Sequence, residues 1–133
     1  MTRHLARIIA GTLCAAAAAA QAQSSADIAL PGPELAAQQG RVVLHEDAAH
    51  HVRTIRATLP PNQDLQPHGP DQGYFIVTVI SGTLELGFGT EFDAASLQTL
   101  PPGSVFTHPV SQKHFARTGA EPVVLQITSI QPD

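Results

Sequence analysis

From residue 103 to residue 114 the chain has little freedom in what it can form. Pro102-Gly103 makes a turn, residues 104–108 are β-prone, and Pro109-Val110-Ser111 makes a second turn. His114 then opens another β-prone run over 115–118. Proline excludes a helix through this stretch, so the spacing predicts a strand, a tight turn and a returning strand. A returning strand with a His at its mouth is one way a small barrel delivers an imidazole to its interior.

The same punctuation runs through the whole chain, which has 11 Pro and 10 Gly in 133 residues. Residues 41–45 read as a short strand. Residues 51–59 alternate polar and apolar, which predicts a half-buried strand with Val52, Ile55, Ala57 and Leu59 toward the core. A turn follows at 60–62, and two prolines hold 65–70 extended. Residues 75–80 are apolar on both faces and β-branched, which fits a central strand. Ser81-Gly82 turns the chain into a strand over 83–88. Residues 93–100 predict one or two helical turns capped by Asp93. Strands over 104–108, 114–118 and 123–130 complete the count. Seven or eight short strands with Gly/Pro turns, and no long amphipathic helix, predict a closed or sandwiched all-β fold of the jelly-roll kind.

The front end reads differently. Arg3, His4 and Arg7 precede an apolar, alanine-rich run from 8 to 20, and Ala20-Gln21-Ala22 is a small-x-small cleavage signal. Residues 1–22 therefore read as a cleavable signal peptide, with Gln23 the first mature residue and a periplasmic or secreted location. Residues 23–40 read as a flexible arm, and 41–133 as the barrel domain. The apolar run is too short to span a bilayer, and no later segment is long enough. Cys14, the single cysteine, leaves with the signal; Leu13 before it argues against lipidation. Loss of Arg3 and Arg7 from the seven basic residues leaves five against eleven acidic ones, a formal charge of −6. Such a chain has no basic patch for nucleic acid or an anionic membrane. It also lacks Gly-x-Ser-x-Gly, a P-loop, a dinucleotide fingerprint and a cysteine nucleophile.

These residues make the stretch from about 41 to 130 resemble a small exported cupin, an RmlC-like jelly roll. The second cupin motif runs from Gly103 through Pro109 to His114, with Ser111 and Thr118 in place of the motif's Gly and Asn. For the first motif, Gln66-Pro67-His68 matches the approach and Ser81-Gly82-Thr83-Leu84 the closing turn. Pro70 stands where the family has a second His. Gly73, Tyr74 or Phe75 stands where it has a Glu. The resemblance implies a divalent transition metal (Fe, Mn, Ni, Cu or Zn) inside the barrel. Two of the four ligand positions are kept, His68 and His114, and Asp71 is an added oxygen donor if its loop bends inward. Two imidazoles and a carboxylate make a workable open site. The implied function is binding of a small molecule in the barrel, with metal-assisted oxygenation or isomerisation if the protein is an enzyme. The alternatives are a metal-free, non-catalytic binding or sensing barrel and a metal-free isomerase with a His base. Cupins often pair through sheet edges, so a homodimer is a further implication.

The remaining candidates read as follows. Ser104, Phe106 and His108 share one strand face. His108, beside the Pro109 turn, reads as a surface turn residue, or else as a base or spare ligand at the pocket rim. His45, His50 and His51, with Glu46 and Asp47, read as a solvated cluster. Lys113 and Arg117 fall off the His114 face by parity. Tyr74 and Phe75 supply an aromatic to fill the barrel or stack on an apolar ligand.

Overall fold

The computed structural model describes residues 32–36, 38–109 and 112–131. The expected signal peptide, 1–22, lies outside the described residues. Inside the segment expected as a loose arm, α1 (Gly32–Ala36) forms a single helical turn and buries Leu35.

Nine strands follow among the described residues: β1 (Arg41–Asp47), β2 (Val52–Leu59), β3 (Asp64–His68), β4 (Tyr74–Ser81), β5 (Leu84–Phe88), β6 (Gln98–Leu100), β7 (Val105–Pro109), β8 (His114–Thr118) and β9 (Val123–Ile130). They form two antiparallel sheets, ordered β1-β2-β9-β4-β7 and β3-β8-β5-β6. This is the all-β jelly roll that the turn spacing predicts. The bounds of β8 and β9 coincide with the β-prone runs: Gly119 ends the first and Pro122 opens the second. The segment 93–100 differs from expectation. Asp93 does cap a turn, accepting from the Ala95 amide at 2.9 Å, but the turn is a 3-10 turn of three residues, Ala94–Ser96. Gln98–Leu100 is then drawn into a strand beside β5.

The core lies between the sheets. Val77, Val79, Leu84, Leu86, Ala116, Val123 and Leu125 are buried together. Each large apolar side chain so buried contributes about 1.5–3 kcal/mol. They alternate with outward residues, as the pleat requires. The outward face of β4 is uncovered, and Ile76 and Ile80 are exposed. Gly87 lets β5 pass under the Phe115 ring, whose atoms would lie 2.2 Å from an added Cβ.

Two ladders carry a register shift on an edge strand. In β1 the shift falls between Val43 and His45, and in β3 between Leu65 and His68. An extra residue reverses inward and outward beyond it. In β3, regular pairing onward from Leu65–Ala116 would set Pro67 opposite His114. The bulge sets His68 there instead. Proline is tolerated at such a point because a bulge leaves a backbone group unpaired.

Candidate ligand-binding site

The pairing lines up one cross-sheet row at a single end of the barrel. Glu46 pairs with Arg53, Arg53 with Ser129, Ser129 with Phe75, and Phe75 with His108. In the facing sheet the matching row is His68, His114 and Phe88. The next inward positions toward the other end are Ile55, Ile127, Val77 and Phe106, and then Ala57, Leu125 and Val79. The interior thus gathers its imidazoles and its guanidinium at one end and is largely hydrocarbon elsewhere, with Thr118 at the far end satisfied by the Pro60 carbonyl and the Gln63 amide.

Three imidazoles meet in the polar layer. The His114 ring centroid lies 4.2 Å from that of His68 and 4.4 Å from that of His108. Phe106 presents itself edge-on to His114 at 5.9 Å. His114 is buried, and its pKa falls from the ordinary 6.5 to about 3. Burial is the largest cause, followed by the charges that His68 and His108 would carry. The ring is therefore neutral at physiological pH and keeps one N–H and one lone pair. Its Nδ1 is buried and meets no hydrogen-bond partner among the described residues. His68 stands at the exposed rim, and its Nδ1–H donates to the Gln66 carbonyl at 2.7 Å across the bulge. That bond fixes the tautomer and leaves Nε2 with the lone pair.

His108 corrects the sequence reading. It is fully buried, not a surface turn residue. The Pro109 turn suggested exposure, but β7 continues through Pro109 and pairs Phe75 with His108, which sends the imidazole inward. The signal was present in the period-two set Ser104, Phe106 and His108. Gly69 makes room for the ring: a Cβ there would fall 2.5 Å from His108 Cε1 and 2.9 Å from the Gln112 carbonyl oxygen.

Arg53 is the second functional residue that sequence reasoning missed. Its parity matches Ile55, Ala57 and Leu59, and these set the inward face. A charge in that series became meaningful only when the register put it beside Ser129. Other placements agree with expectation. Phe75 lines the barrel. Arg117 lies on the outer face, where Nε and Nη2 donate to Asp64 at 2.6 and 2.9 Å. His50 and His51 are exposed in a turn, with Asp47 bonded to the His50 ring at 2.7 Å.

Beneath the imidazoles lies a cavity of about 110 Å³. His68 and His114 are its polar wall; the rest is Leu, Val, Ile, Ala and Phe side chains. An apolar cavity on the order of 150 Å³ admits one small aromatic ring. Through His68, Phe75 and Ile127 it shares walls with a wider groove of about 710 Å³, into which Arg53, Glu46 and Ser129 also face.

The donor chemistry suits a metal better than the arrangement does. Neutral imidazoles are ligands for divalent transition ions. Asp71, the expected oxygen donor, is exposed on the bend between β3 and β4. Among the described residues no three His, Cys, Asp or Glu side chains are grouped so as to hold a metal ion. The ligand set His68, Asp71 and His114 is thus not assembled, and His108 does not complete another.

No protein-family model matches the chain, and no curated protein sequence matches it. Solved structures do. The cupin domain of Cnp3 from Schizosaccharomyces pombe is similar at TM-score 0.59 and 14% identity, over 69% of this chain and 60% of that one. An RmlC-like cupin from Desulfovibrio desulfuricans gives 0.54 and 21%, over 70% and 82%. A protein from Bacillus halodurans gives 0.63 and 16%, over 76% and 77%. The chain thus spans less than two thirds of the Cnp3 chain. At these identities the likeness is one of fold, and it is the cupin, or RmlC-like, double-stranded β-helix.

Proposed function

We propose that this cupin barrel binds a small organic molecule, with its apolar part in the cavity and a hydrogen-bonding group against His114. One observation carries the reading: a neutral, buried imidazole with an Nδ1 unmet among the described residues forms, with His68, the polar wall of an otherwise hydrocarbon cavity. A buried polar atom left unpaired costs about 1–3 kcal/mol, and a ligand group that pairs with it recovers part of that. Phenol, one ring with one hydroxyl, is a suitable probe. It is expected to shift the His114 ring resonances in NMR titration. A His114 ring that does not respond to phenol at millimolar concentration overturns the reading.

A second reading keeps a divalent transition metal on His68 and His114, with Asp71 moving inward. The neutral state of His114 favours it, because a lone pair is ready for the ion. Elemental analysis of untagged protein tests it. Near-stoichiometric metal that is lost in His68→Ala establishes this reading, and absence of uptake on titration with Zn²⁺ or Mn²⁺ removes it. We place the protein in the periplasm on the strength of the leader alone, and N-terminal sequencing of exported protein should begin at Gln23.

A further inference from the structure

We propose that the ligand of this barrel is an organic acid whose carboxylate is held by Arg53 at the mouth while its hydrocarbon tail enters the cavity. The inference rests on the ligand-binding reading above and names the chemical class.

Arg53 occupies the inward row, beside Ser129 and one position along the face from Ile55. A guanidinium N–H buried on the inner face of a barrel sheet is costly when it goes unpaired. Its pairing here is poor. Among the described residues the nearest carboxylate is Glu46, with Nε to Oε1 at 4.0 Å, beyond hydrogen-bond range. Arg53 Nε is itself buried with no hydrogen-bond partner among the described residues. The side chain remains 42% exposed, so a ligand has access to the fork. Asp47, the other acid on this groove, is occupied by the Ala49 and His50 amides and the His50 ring. A planar carboxylate matches the guanidinium fork with two charge-assisted bonds.

The geometry also directs the tail. Arg53 and Ala57 lie four residues apart on one strand, which is about 13 Å. The apolar rows of Ile127 and Leu125 fill that interval and line the cavity. A carboxylate at the guanidinium with a short hydrocarbon tail directed along these rows therefore suits the groove and the cavity together.

Hexanoate and its neutral analogue hexanamide are the probes, titrated calorimetrically into the wild type, Arg53→Gln and Arg53→Lys. The wild type is expected to prefer hexanoate by about tenfold or more, as two charge-assisted bonds imply. Arg53→Gln should lose that preference, its affinity for hexanoate falling to about that for hexanamide, and Arg53→Lys should keep part of it. Equal binding of the two probes by the wild type, or a preference that survives Arg53→Gln, overturns the inference and leaves the barrel reading intact. Binding of neither probe, together with a His114 ring unresponsive to phenol, overturns both.

Discussion

At one end of the barrel the inward residues include Val79, Leu84, Val123 and Leu125; two to three rows away they are Arg53, Ser129, His108 and His114. The first group would serve in any cupin jelly roll, since it removes hydrocarbon from water and asks little beyond volume. The second is poorly suited to folding. It holds an arginine whose one acidic partner among the described residues is distant, and a histidine that burial keeps neutral. The difference teaches where to look for function. Polar side chains held inside at a cost to stability mark the end at which the barrel meets something else.

Substitutions at the two ends should therefore separate. Leu84→Ala, at a fully buried position in the apolar end, is expected to lose about 2–5 kcal/mol in urea unfolding while leaving the His114 ring resonances in place. A loss under about 1 kcal/mol would show that this end is loosely packed and break the contrast.

At the polar end, pH is the sharper probe. The folded pKa of His114 is about 3 against an ordinary 6.5, so the unfolded chain takes up a proton that the fold refuses. Stability from this group is complete above about pH 7 and is lost as pH falls through 6.5 toward 3, by up to about 1.4 kcal/mol per pH unit. Comparison of His114→Gln with the wild type across this range should isolate that slope. Parallel profiles would mean that His114 is solvated and titrates normally.

Gly69→Ala should have the smallest effect, about 1–3 kcal/mol, because the new methyl group meets His108 and a backbone carbonyl. Its distinguishing mark is a shifted His108 ring signal with little change at Leu84. An undisturbed His108 would mean that the loop yields instead of the ring.

Much of the fold is legible in the sequence because Gly and Pro mark the ends of its strands, as at β8 and β9. The helix expected over 93–100 fails where local propensity meets a waiting strand: Gln98–Leu100 pairs with β5 instead of continuing the turn that Asp93 begins. In the site, the resemblance brings out His68 and His114, and the structure sets them side by side. His108 and Arg53 stay hidden for a common reason. Each shows its parity along its own strand, but the partner across the sheet, Phe75 or Ser129, is fixed by long-range register.

The bulges in β1 and β3 give that register a consequence for how such a site diverges. Both lie on edge strands, and both select which side chain enters the polar layer: His68 in place of Pro67 in β3, and Glu46 in place of His45 in β1. A one-residue insertion between Leu65 and Pro67, or between Val43 and His45, with the bulge kept, would bring Pro67 opposite His114 or His45 opposite Arg53. It would exchange an imidazole for a pyrrolidine, or an acid for a base, with no substitution at any site residue. In this barrel the length of an edge strand is itself an inherited variable of ligand chemistry.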